Sequence, residues 1–115
     1  MNERDKTNIG RIADELRYIK SVTAKTSRDE FLHDETLQHA LSMSILTIGE
    51  CANHLSDDFK DRHPKIEWIQ IVAVRNIAAH GYWQLDMRQI WQAIEEDIPQ
   101  LNDFVFGLLD EKSMC

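Results

Sequence analysis

Leu37-Gln38-His39-Ala40-Leu41-Ser42-Met43-Ser44-Ile45-Leu46-Thr47-Ile48-Gly49-Glu50-Cys51-Ala52-Asn53-His54-Leu55 is the stretch that decides the fold of this chain. Leu37, Leu41, Ile45, Ile48, Ala52 and Leu55 recur at steps of four and three, the repeat of a helix that shows one apolar seam to its neighbours. The seam is long enough to organise a bundle. Gly49 sits on it and permits close approach of another helix, at a cost of about 1 kcal/mol relative to Ala.

Working outward, the same periodicity accounts for nearly everything else. Ile9, Ile12, Ala13, Leu16 and Ile19 predict a first amphipathic helix of about five turns. Ser27 with Glu30 reads as a capping box that opens the seam-bearing segment. Ser56-Asp57-Asp58 and His63-Pro64 read as a loop or short turn. Pro64 suits the first turn of a third helix, where its missing N–H does no harm. That helix is expected to bury Ile66, Ile69, Val72, Ala73 and Ile77. Asp86 with Gln89 resembles a capped start for a fourth helix, striped by Ile90, Trp91, Ile94, Ile98, Leu101, Val105 and Leu108. Pro99 should kink or divide that stripe near Ile98. No strand-like alternation, repeat or Gly-Ser linker interrupts the pattern. The expectation is an all-α, antiparallel four- to five-helix bundle, with residues 1–115 as one domain.

The chain has 115 residues, 43% hydrophobic and 29% charged, which suits one core and leaves no room for a second. No apolar run approaches the roughly 20 residues that cross a bilayer. The charged start Met1-Asn2-Glu3-Arg4-Asp5-Lys6 has no apolar region behind it, so no signal peptide is expected. Cys51 and Cys115 form no metal or disulfide framework and fit a reducing cytoplasm. A formal charge of −7 argues against broad salt-driven binding to nucleic acid. It still allows a local basic cleft, and Lys60, Arg62, His63, Lys65, Arg75 and Arg88 gather in the middle third. His33, His39, His54 and His63 are too dispersed for a metal site. Trp68 and Trp91 read as core anchors, while Trp83 keeps a chance of lining a substrate cleft.

The chemistry concentrates in Arg75-Asn76-Ile77-Ala78-Ala79-His80-Gly81-Tyr82. Arginine holds phosphate through a fork of donors at any physiological pH, and histidine moves protons near neutrality. A cation for a crowded phosphorane and a proton carrier for its oxygens suffice to cut a phosphodiester without a metal. A five-residue helical step leaves Arg75 and His80 about 140° apart, so they converge only where the helix ends, at Gly81. From spacing alone, an ion-paired surface Arg75 and a His80 that answers the helix dipole stand ahead.

Resemblance changes that balance. His63-Pro64-Lys65-Ile66-Glu67-Trp68-Ile69, the stretch Arg75 to Tyr82, and Trp91 resemble the HEPN superfamily, and more closely its HepT-like branch. The hallmark of that branch is Arg, four residues, His, one residue, Tyr. Ile48-Gly49-Glu50-Cys51-Ala52-Asn53-His54-Leu55 is also similar to the branch's second-helix segment, so the likeness runs from about residue 8 to about residue 105. Val74 departs from the Gly-Met or Gly-Leu pair usual before the Arg, which alters packing beneath the motif and leaves the polar trio intact.

The resemblance implies a metal-independent endoribonuclease acting as a homodimer, the toxin of a type VII-like toxin–antitoxin pair. It implies Arg75 as phosphate and transition-state cation, His80 as general acid or base, and Asn76 in support. Tyr82 would be the hydroxyl AMPylated by an MNT-type nucleotidyltransferase antitoxin. RNA would be the substrate and DNA would not, because attack comes from a ribose 2′-OH. No cofactor or metal is implied. The alternative from another class is a non-catalytic helical module that scaffolds a partner nucleotidyltransferase.

Overall fold

A computed structural model describes residues 1–78 and 86–113, with side chains placed up to Arg75 and from Asp86 to Asp110. Its described residues form six helices: α1 (Glu3–Thr23), α2 (Arg28–Leu32), α3 (Glu35–Asn53), α4 (Asp57–Arg62), α5 (Trp68–Ala78) and α6 (Met87–Ser113). The architecture is the expected all-α bundle. Two helices of barely more than a turn, α2 and α4, raise the number above the four or five expected.

The seam helix is the centre of the molecule. α3 packs on α1 along one side and on α5 along the other, while α6 lies against α1, α2 and α3. Leu41, Ile45, Ile48, Ala52 and Leu55 are buried, as are Ile9, Ile12, Ala13, Leu16 and Ile19 of α1. Both stripes were legible as periodicity. The start of α1 meets the end of α3, so the two run antiparallel. There the buried Asp5 carboxylate accepts from Ser56 N at 2.8 Å and from Ser56 Oγ at 2.7 Å. Ser56 in turn caps α4 by accepting from Phe59 N at 3.1 Å.

Local chemistry explains the helix boundaries. The Ser27–Glu30 capping box is present in both directions, at 3.1 and 3.3 Å. It opens only the short α2, because Asp34 starts α3 afresh by accepting from Thr36 N and Leu37 N. Ser56-Asp57-Asp58, expected to be a turn, begins α4 instead: the serine hydroxyl and two first-turn acids favour a helix start. Asp86 Oδ1 accepts from Arg88 N at 2.9 Å, as expected for the last helix.

Three expectations are corrected. α5 starts at Trp68, with Pro64 in the turn before it rather than in its first turn. Ile69 and Ala73 face outward, Ile69 being 87% exposed, because α5 turns Ile71, Val74 and Arg75 toward α3 instead. Pro99 does not divide the last helix: α6 runs unbroken for 27 residues. Proline removes only its own bond to the Glu95 carbonyl. Both residues lie on the exposed side, where the freed carbonyl is open to solvent. No described helix is long and apolar enough to cross a membrane.

Candidate functional site

The site begins with a missing side chain. A Cβ on Gly49 would stand 2.9 Å from the Ile71 carbonyl oxygen and 3.1 Å from Arg75 Cβ. Only glycine lets α3 and α5 meet this closely. The contact carries the backbone of Arg75 onto the residue that follows Gly49. Glu50 Oε2 there accepts from Arg75 Nε at 2.6 Å. Its other oxygen, Oε1, stands 2.9 Å from His54 Nε2, one helical turn further along. The chain of contacts ends on α1, where Arg4 Nε donates to the His54 carbonyl at 2.6 Å.

Three helices therefore supply one polar patch: Arg4 from α1, Glu50 and His54 from α3, and Arg75 from α5. The Arg75 side chain is 39% exposed and that of Glu50 45%, so the pair is open to a solution ligand. The guanidinium of Arg75 and then the imidazole of His54 hold the Glu50 carboxyl below its ordinary value. Glu50 is thus a fixed anion at neutral pH, and it aligns Arg75 through the Nε edge. Cys51, one residue on, turns inward, and burial pushes its thiol up and away from nucleophile chemistry.

Of the residues singled out by sequence, Arg75 lies on α5, half exposed and ion-paired with Glu50, the arrangement its spacing alone predicts. Asn76 lies on α5, and its side chain falls outside the described residues. His80, Gly81, Tyr82 and Trp83 fall outside them altogether, and so does the convergence of His80 on Arg75. Trp68 and Trp91 are buried, Trp68 donating to the His63 carbonyl at 3.0 Å and Trp91 stacking on Phe31 at 5.2 Å.

The basic residues of the middle third do not form one cleft. Arg62 pairs with Asp58 at 3.2 Å, and the His63 ring packs between Phe59 and Phe104. Arg88 lines a separate cavity of about 370 Å³ with Arg28 and two glutamates. A groove of about 750 Å³ runs past Trp68 and Ile69 and does not include Arg75 or Glu50. The polar contacts identify the site better than cavity size does.

Glu50, His54 and Arg4 were missed as site residues. The available signal was an acid directly after a seam glycine, with a histidine four residues later on the same face. Among the described residues, no three His, Cys, Asp or Glu side chains gather as a metal site would require.

Comparison with known proteins returns a consistent set. A family model described as "Ribonuclease HepT-like" matches residues 12–106. A Thermococcus cleftensis protein named "Probable ribonuclease HepT" is 32% identical over 101 residues, covering 88% of this chain and 92% of its own. "Putative RNase MJ1380" of Methanocaldococcus jannaschii is 26% identical over 102 residues, 88% of this chain and 94% of its own. "Putative RNase TTE0752" of Caldanaerobacter subterraneus subsp. tengcongensis is 29% identical over 101 residues, 88% and 90%. No solved structure matches the chain with significance.

Proposed function

This chain belongs to the HepT-like ribonuclease family of the HEPN superfamily, and on that premise we propose that it is a metal-independent endoribonuclease toxin. Residues 1–115 act as one domain, and two copies pair as a homodimer in the cytoplasm. The observation that carries this reading is the ribonuclease family match over residues 12–106, with Arg75 of the motif half exposed where α3 and α5 meet at Gly49.

Chemically, the ribose 2′-OH attacks the adjacent phosphorus and the bond to the 5′ oxygen breaks. A 2′,3′-cyclic phosphate and a 5′-hydroxyl result. His80 moves the proton of the attacking or leaving oxygen, and Arg75 stabilises the phosphorane. Asn76 supports the pair. Glu50 holds the guanidinium in one orientation, so the cation is in place before the substrate arrives. The relatives' ribonuclease names support RNA as the substrate. A DNA strand lacks the nucleophile.

Control falls to a cognate MNT-type nucleotidyltransferase that transfers AMP to Tyr82. A phosphodiester there competes for Arg75 and blocks the place of the RNA phosphate. The test is incubation of partner-free protein with RNA in EDTA, followed by end-group analysis. Cyclic phosphate ends are expected, and their loss in both Arg75→Ala and His80→Ala. Cleavage that survives His80→Ala would refute the assignment.

A further inference from the structure

His54 closes α3 and reaches back along it twice. Its backbone N–H bonds the Glu50 carbonyl at 3.2 Å, and its imidazole Nε2 stands 2.9 Å from Glu50 Oε1. The residue has a firm base for that reach. Its own carbonyl accepts from Arg4 Nε of α1 at 2.6 Å, and Leu55 after it is buried. Glu50 Oε1 therefore meets a donor on its own helix, while Oε2 accepts from Arg75 Nε of α5 at 2.6 Å. An ionised carboxylate can only accept, so the hydrogen of the first contact sits on Nε2 of the ring. A glutamate held at one oxygen still swings on its flexible stem, and one held at both has its carboxylate plane fixed. Arg75 first and His54 second hold the Glu50 carboxyl below its ordinary value, as two contacts to the charged form should.

We propose that His54 is a positioning residue for the Arg75 cation: its Nε2–H fixes the Glu50 carboxylate, and the fixed carboxylate fixes the guanidinium. The inference rests on the reading of Arg75 as the cation that meets the RNA phosphate. Orientation matters there because a guanidinium takes phosphate through a planar fork, and a fork that turns must be set again for each substrate. The competing role is a surface pair one turn apart that only steadies the end of α3. With side chains 54% and 45% exposed, such a pair adds little to stability, so melting should barely register its loss. Two amides separate the roles. Glutamine places its nitrogen where Nε2 stands and can donate to Glu50, whereas asparagine stops at the level of Nδ1 and falls short. Both keep a neutral polar residue at the helix end.

Two measurements are needed. The first follows the Arg75 Nε–H by nitrogen NMR relaxation, in protein without RNA. Wild type and His54→Gln should show an ordered Nε–H, and His54→Asn a more mobile one. The second is steady-state cleavage of RNA. In His54→Asn kcat should fall about three- to tenfold, the scale of one hydrogen bond, with KM little changed. His54→Gln should recover most of that loss. In a Glu50→Gln background His54→Asn should add no further loss, since it acts only through that carboxylate. Unchanged Arg75 order or unchanged kcat in His54→Asn overturns the positioning role, and so does a loss that persists in full in the Glu50→Gln background. If wild type cuts no RNA while Arg75 order falls in His54→Asn, the ribonuclease reading fails and the positioning role stands.

Discussion

Glu50 divides its two oxygens between a cation on another helix and an imidazole one turn away, and this makes it more than a solvated surface acid. Replacing it by Gln leaves the volume and removes the charge that aligns Arg75. RNA cleavage by Glu50→Gln should fall about 10- to 100-fold in kcat, with KM little changed, because orientation and not contact is lost. A stability signature accompanies it. The Glu50 carboxyl is held below its ordinary value of 4.5 in the fold, first by Arg75 and then by His54. Its contribution is therefore present above that value and lost as pH falls through the lower, folded one. Thermal melts of wild type and variant should differ at neutral pH and converge in acid. Asp5 is the buried counterpart, with both oxygens on Ser56. Asp5→Ala strands a backbone N–H and a hydroxyl and should cost about 3 kcal/mol in urea denaturation. At this scale the sequence revealed Arg75 through its motif. It did not reveal Glu50 or Arg4, because their partners lie 25 and 50 positions away.

Between α3 and α5 the contact tolerates no added atom, since the obstacle to a Cβ at Gly49 is a backbone carbonyl oxygen at 2.9 Å. Gly49→Ala should destabilise by about 1–3 kcal/mol despite the better helix propensity of alanine. It should also lower RNA cleavage by moving α5 away from Glu50. Gly10→Ala and Gly107→Ala provide the control: nothing lies within 4 Å of either position, so both should be neutral or stabilising. The faces of α1 and α3 could be read from sequence because polar residues mark their outer sides. The face of α5 could not. Trp68, Ile69, Ile71, Val72, Ala73 and Val74 are apolar nearly all round, and periodicity then has nothing to contrast with. Pro99 is a different case: the carbonyl it leaves unbonded lies on the exposed side, and the helix continues.

Across the whole molecule, 44 × 30 × 21 Å, the outward side of α5 carries the 87% exposed Ile69, which lines the 750 Å³ groove, and the exposed Ala73. Dimerisation through this half of the chain would bury it and bring two copies of the motif together. Ile69→Glu should then run as a folded monomer in light scattering, with wild-type helicity and reduced cleavage of RNA. A wild-type protein that is already monomeric and active would refute the shared groove. Fold class and family were legible in 115 residues because seam and motif are local patterns. The assembly of the site was not, because it depends on pairings between distant helices. Those pairings also set a timetable. The core contains Ile9 from the first helix and Val105 from the last, and the helices bearing them pack on each other. During synthesis at about 5–20 residues per second, that core cannot close until the ribosome has passed position 105. The first helix therefore waits for the last one before its buried face is fully covered.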